Sequence, residues 1–264
     1  MGIIEAIILG AVQGITEFLP VSSSGHLVLL QKIFGISEPV LLFDTMVHGG
    51  TLAAVFLVLR RDIWNIVRRP IQPLTGLLIL ATIPTVIIAL VFRDFIEEAF
   101  HSAAYLGFAF LFTAAALLVS EYLSGRSGKF RNGETMNWLD AVIIGILQGV
   151  AIIPGVSRSG LTLSGALSRK LERDFAARFS FLLSIPAILG ALVLQLKDII
   201  GGPRGSIGPA PIIAGTAAAG VVGFFAVSFM LKIVRERSLR GFAIYVAVLG
   251  ALVLIDQYAA HVFF

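Results

Sequence analysis

The chain has 264 residues, 57% of them hydrophobic and only 14% charged, against roughly 25% charged in an ordinary soluble domain. Its apolar stretches approach bilayer length and its charges sit in short clusters between them, which excludes a soluble enzyme and describes a helical bundle crossing a membrane several times. Without cysteine there is no disulfide, thiolate nucleophile or thiolate-bound metal, and a net charge of +4 on such a chain reports topology, so no nucleic-acid partner is expected.

From the start, Met1 to Val12 lack the basic region and cleavage site of a signal peptide, so the N-terminus is read as mature. Residues 2–12 are apolar except for Glu5 but too short to span. They run into Gln13-Gly14-Ile15-Thr16-Glu17-Phe18-Leu19-Pro20-Val21-Ser22-Ser23-Ser24-Gly25-His26, after which apolar residues resume at 27–34. The pattern predicts a helix-loop-helix that enters the membrane and returns on the same side, with its loop against protein or a polar cavity. Spans are predicted at 43–59, 75–92 and 103–120, the first followed by Arg60, Arg61, Arg68 and Arg69. A polar, glycine-rich linker covers 125–137 and carries Arg126, Lys129 and Arg131.

Past the linker the sequence starts again. An ungapped offset of 135 places Glu5-Ala6-Ile7-Ile8-Leu9-Gly10 on Asp140-Ala141-Val142-Ile143-Ile144-Gly145 and Gln13-Gly14-Ile15 on Gln148-Gly149-Val150. The same offset puts Val21-Ser22-Ser23-Ser24-Gly25 on Val156-Ser157-Arg158-Ser159-Gly160. This predicts an all-α bundle of two repeats, 1–124 with re-entrant loop 13–26 and 138–264 with re-entrant loop 148–162, each with about three spans. Those of the second half are expected at 177–196, 210–231 and 241–260. Three crossings between the loops make the repeats inverted in topology, so the loops meet near the midplane from opposite sides. Assigning 60–73, 121–137, 168–178 and 232–240 to the cytoplasm gathers most of the basic residues there, which orients both termini outward.

Within Pro154-Gly155-Val156-Ser157-Arg158-Ser159-Gly160-Leu161-Thr162, one arginine is surrounded by hydroxyls at membrane depth. An intramembrane arginine costs roughly 2.5–3.5 kcal/mol on insertion scales, so it implies a function. Its planar fork of donors fits phosphate oxygens, and Gly155 lets the backbone approach an anion. Gln13 and Glu17 stand four apart, on one helical face if the first helix reaches that far. Near phosphates Glu17 can hold Mg²⁺ or Ca²⁺, since a cation often takes one carboxylate plus substrate oxygens. His26 can act as base, as acid toward a leaving phosphate, or as nucleophile. Ser23 is a candidate nucleophile, and Ser22 and Ser24 read as helix caps or phosphate donors. Asp44 and His48, four apart in the next span, rank second: they either orient the loop or form a hydrogen-bonded helix start.

These two motifs, Gln13 to His26 and Pro154 to Thr162, resemble those of the bacterial undecaprenyl-diphosphate phosphatases of the bacitracin-resistance type, and the resemblance covers nearly the whole chain. It implies a membrane phosphatase that converts undecaprenyl diphosphate to the monophosphate, recycling the lipid carrier of cell-wall synthesis at the outer face of the plasma membrane. Carried onto this sequence it matches Glu17 to the acid of the first motif, His26 to an essential histidine, Ser23 to a nucleophile, and Ser157, Arg158, Ser159 and Thr162 to the phosphate-binding motif; Arg158 is also expected to act in catalysis by stabilising transition-state charge. Gln13 stands where the family has Glu or Gln, leaving Glu17 the sole acid of the first motif and the expected ligand of the cation. The expected partners are a polyprenyl diphosphate and the bilayer, with room for a homo-oligomer. A lipid-phosphate flippase is the rival, because inverted repeats with broken helices also suit alternating access.

Overall fold

The computed structural model describes residues 1–36, 40–102, 104–125, 130–201 and 207–263. Residues 126–129 of the expected linker, with Arg126 and Lys129, and Arg204 lie outside them.

Among the described residues six helical segments are long and apolar enough to cross a membrane: α3 (Leu41–Val58), α5 (Pro73–Val91), α7 (Leu106–Gly125), α10 (Arg173–Gly201), α11 (Pro209–Glu236) and α12 (Arg240–Ile255), the last with the π-helical turn that carries it to Ala260. Four shorter ones, α1 (Ile3–Thr16), α2 (Ser23–Ile33), α8 (Trp138–Val150) and α9 (Arg158–Ser168), form the two helix-loop-helix units. Among the described residues there is no β-strand, only an isolated bridge between Arg131 and Leu171. The expected spans are therefore all helical, with shifted ends; 103–120 becomes Leu106–Gly125 and 210–231 becomes Pro209–Glu236. Two helices were not expected, α4 (Arg60–Arg68) and α6 (Arg93–Ser102). Each follows a span directly, at segments the sequence offers only as charged connections. In α4 the exposed Trp64 stacks under Arg68, whose guanidinium carbon lies 4.7 Å from the ring centre, as suits a helix lying at an interface.

The two broken helices restart in the same way. The Ser22 side chain caps α2 by accepting from Gly25 N at 3.3 Å, and Ser157 caps α9 by accepting from Gly160 N at 3.0 Å. These are equivalent positions at the offset of 135. Two close backbone approaches recur at the same offset. A Cβ on Gly10 would lie 2.1 Å from the Gly215 carbonyl oxygen, and one on Gly145 would lie 2.1 Å from that of Ala81. Only glycine lets α1 seat on α11 and α8 on α5 this closely.

The halves do not pack as separate bodies. Helix α1 lies against α11 and α3, α8 against α5 and α9, α7 against α12, and α9 against α7. Three of the short helices, α1, α8 and α9, thus rest on a long helix of the other half. The buried centre is aromatic and aliphatic, with Phe18, Phe179, Phe181, Leu117 and Ile144 fully enclosed. Outward positions on α5, α11 and α12 are also apolar, such as Leu90, Phe225 and Ile244, as a lipid-facing surface requires.

The basic connections are drawn together at one end. Arg178 pairs with Asp62 at 2.9 Å, Arg173 grips both oxygens of Glu121 at 2.8 Å and the Arg237 carbonyl at 3.0 Å, and the buried Asp140 takes Arg131 and Arg169 at 2.7 Å each. The segments expected on one face of the membrane are thus tied to one another by ion pairs.

Candidate functional site

The turns after α1 and α8 meet. Gly25 and Gly155 face each other, a Cβ on Gly25 falling 3.0 Å from Gly155 Cα, and Gly155 has φ +87°, which only glycine adopts without strain. Across this contact Gly155 N donates to Ser24 Oγ at 3.4 Å and Ser159 Oγ donates to the Leu19 carbonyl at 2.8 Å. Ser22 holds a left-handed φ of 72°, rare for a non-glycine residue and characteristic of a constrained site loop.

At the centre is Glu17. It closes the C-terminus of α1, is almost fully buried, and sits among four groups from four helices. Its Oε2 accepts from Gln13 Nε2 at 2.9 Å and from Ser23 Oγ at 2.5 Å, and lies 3.7 Å from His48 Nε2. Its Oε1 takes a direct ion pair with Arg158 Nη2, reached from the opposite half. The other terminal nitrogen, Arg158 Nη1, is buried and has no hydrogen-bond acceptor among the described residues. A buried unmet donor costs about 1–3 kcal/mol, so it marks a place built for an acceptor.

His26 stands slightly apart, one turn beyond Ser23 on α2. Its Nδ1 is 2.7 Å from the Ser22 carbonyl, which can only accept, so Nδ1 carries the hydrogen and Nε2 is the nitrogen open to proton exchange. That Nε2 pairs with Tyr245 Oη at 2.8 Å, the two rings stacked at 5.8 Å, with Phe110 edge-on at 5.6 Å. His26 therefore bonds to Tyr245 and the Ser22 carbonyl, while the Ser23 hydroxyl turns to Glu17. Tyr245 had no signal in the sequence: it is one aromatic residue in an apolar span.

The structure thus brings Gln13, Glu17, Ser23 and Arg158 together, with Ser22, Ser24, Gly155 and Ser159 at the contact between loops. Ser157 N donates to Thr113 Oγ1 at 3.0 Å. Thr162 faces inward, its hydroxyl 2.5 Å from Ser180 Oγ and donating to the Arg158 carbonyl at 2.9 Å, so it braces α9 against α10. Of the second-ranked pair, His48 reaches the site and the Asp44 carboxylate does not; the latter accepts from Gln31 at 3.0 Å.

Among the described residues no three His, Cys, Asp or Glu side chains cluster as a metal cage. A cation held jointly by Glu17 and substrate oxygens does fit, because Gln13 Oε1 is buried, accepts no hydrogen bond from the described residues, and belongs to the amide already bonded to Glu17.

The family model described as bacitracin resistance protein BacA matches residues 6–252. The chain is similar to an undecaprenyl-diphosphatase of Carboxydothermus hydrogenoformans, 50% identical over 261 residues that cover 98% of this chain and 99% of the relative. It is 44% identical over 258 residues to undecaprenyl-diphosphatase 4 of Bacillus thuringiensis subsp. konkukian, covering 98% of each. A third relative, the undecaprenyl-diphosphatase of Halothermothrix orenii, is 40% identical over 257 residues, or 97% of this chain and 98% of its own. The flippase reading finds no support in these names.

Proposed function

Since the chain belongs to the BacA bacitracin-resistance family, we infer that it is an integral membrane phosphatase that hydrolyses undecaprenyl diphosphate to undecaprenyl phosphate and inorganic phosphate. The observation that carries the reading to particular residues is Arg158, reaching from one half to the carboxylate of the other with a second buried nitrogen still lacking an acceptor. A diphosphate satisfies that nitrogen and competes with Glu17 for the guanidinium.

In this reading Arg158 binds the diphosphate and stabilises charge as the terminal phosphoryl group transfers, with the Ser22, Ser24, Ser157 and Ser159 hydroxyls and the Gly155 turn around it. Ser23 presents its hydroxyl, oriented by Glu17, toward the terminal phosphorus. Attack breaks the phosphoanhydride bond, undecaprenyl phosphate leaves, and water then cleaves the phosphoserine ester to release inorganic phosphate. His26, three residues along the same helical face, takes up the proton and returns it. Glu17 with Gln13 Oε1 would hold Mg²⁺ or Ca²⁺, which offsets the charge of the diphosphate when bound. The basic connections tied together at one end face the cytoplasm by the positive-inside rule, and the site works from the outer side of a bacterial plasma membrane. The polyprenyl tail lies in the lipid against the outer faces of the long helices, whose side chains are apolar.

The test is phosphate release from undecaprenyl diphosphate by the purified protein, with and without chelator, beside Arg158→Ala and Arg158→Lys. We expect metal-dependent release by the parent protein, loss of about 10³-fold or more in Arg158→Ala, and partial activity in Arg158→Lys. Near-normal turnover by Arg158→Ala would overturn the site assignment, and release indifferent to chelator would overturn the cation.

A further inference from the structure

His48, in α3, is placed for more than packing, and the role its geometry assigns rests on the phosphatase reading and deepens it. Its Nδ1 is 2.7 Å from the main-chain carbonyl of Asp44, one turn earlier. A carbonyl oxygen cannot donate, so Nδ1 carries the hydrogen and the neutral ring keeps its lone pair on Nε2. That lone pair faces Glu17 Oε2 at 3.7 Å. An imidazole lone pair and a carboxylate turned toward each other at membrane depth repel unless a proton or a metal ion lies between them.

A third acceptor stands beside them. Gln13 is fully buried, its Nε2 is fixed on Glu17, and its Oε1 has no donor among the described residues. The Glu17 carboxylate thus has beside it the Gln13 amide, whose oxygen has no donor among the described residues, and an imidazole nitrogen from α3. The bond from His48 Nδ1–H to a backbone carbonyl is the support that metal-binding histidines usually have, because it fixes both the tautomer and the ring. The 3.7 Å gap exceeds the roughly 3 Å between neighbouring ligands of an octahedral ion with bonds of about 2.1 Å, so binding needs the imidazole to move by less than about 1 Å.

Charge balance calls for such an ion. Glu17 and Arg158 neutralise each other, and a diphosphate that draws Arg158 to itself leaves the carboxylate buried beside further negative charge. We propose that His48 is a ligand, together with Glu17 and Gln13, of the divalent cation that enters with the diphosphate, and that its nitrogen biases the site toward Mn²⁺ over Mg²⁺ and Ca²⁺. Oxygen ligands suit all three ions, whereas imidazole suits the first-row transition metals, and Mn²⁺ accepts both.

The experiment uses the full-length protein in detergent with Mn²⁺ and methylenediphosphonate, read by electron spin-echo modulation, which detects nitrogen bound to the manganese. The parent protein should show one imidazole nitrogen. His48→Gln should lose it and bind Mn²⁺ at least about tenfold more weakly, and its ratio of Mn²⁺-supported to Mg²⁺-supported phosphate release should fall. His26→Gln should retain the nitrogen signal, which fixes the assignment even if His48→Gln does not fold. No nitrogen coupling in the parent protein, or coupling that survives in folded His48→Gln, overturns the proposal. A nitrogen signal without phosphate release supports the metal site and counts instead against the phosphatase reading.

Discussion

At the scale of single residues, the site is a contest for one carboxylate. Glu17 receives donors from its own helix, from the following turn and from the other half, and every neighbour is consequently fixed by it. His26 belongs to a second cluster, set by Ser22 behind it and Tyr245 in front. Tyr245→Phe keeps the stacked ring and removes one hydrogen bond, worth about 0.5–1.5 kcal/mol. We expect kcat to fall about 2- to 12-fold with KM little changed. Tyr245→Ala, which also removes the stack, should cost more; equal kinetics for parent and both variants would show that His26 needs no such support. Gln13 to Glu17 was legible in sequence because a spacing of four puts both on one face. For Thr162 the motif position gives the hydroxyl, while the helical phase that turns it to Ser180 is seen only in the fold.

At the scale of helices, closeness of backbone decides where the short helices end. Helices α1 and α8 lie on their long partners so tightly that Gly10 and Gly145 each have a foreign carbonyl oxygen where a Cβ would stand. Backbone cannot move aside as a side chain can, so Gly10→Val should destabilise by about 1–3 kcal/mol or more and displace the α1 turn that carries Glu17. A thermal unfolding scan in detergent reads this directly. Gly49 and Gly190, with open space around them, serve as controls: alanine there should be neutral or slightly stabilising. A Gly10→Val protein as stable as these controls would mean that the close approach is not needed.

At the scale of the whole molecule, buried carboxylates staple the basic end: Glu121 joins the two halves through Arg173, and Asp140 joins the linker's Arg131 to Arg169. Asp140 is the most heavily engaged, closing a capping box with Asn137 and holding Arg131 and Arg169. Burial pushes its carboxyl upward, but the bonds from Arg131, the Asn137 backbone and Arg169 outweigh this and hold it below the usual range. A depressed carboxylate contributes stability that is present above the unfolded value near 3.8 and is lost as pH falls through the lower folded value. Asp140→Asn should therefore cost about 1–3 kcal/mol near neutral pH, reduced by the partial exposure of both arginines, and should flatten the loss of stability below about pH 4. Unfolding temperatures across pH would reveal it, and identical acid limbs for parent and variant would contradict the staple.

The packing is reciprocal at the offset of 135. Exchanging the halves turns the contact of α1 with α11 into that of α8 with α5, and turns the Ser22 cap into the Ser157 cap. From sequence alone came the membrane class, the six spans, the two broken helices, the offset between halves and the residue types of an anion site. These follow from local properties: hydrophobic length, helix-breaking turns, and the cost of burying charge without purpose. The packing of α1, α8 and α9 on the opposite half, the pairing of Arg158 with Glu17, the backing of His26 by Tyr245 and the turn of His48 toward the carboxylate came from the folded molecule. Those contacts join residues up to 219 positions apart. They depend on the helical phase and crossing of neighbouring elements, which no local pattern in the chain encodes.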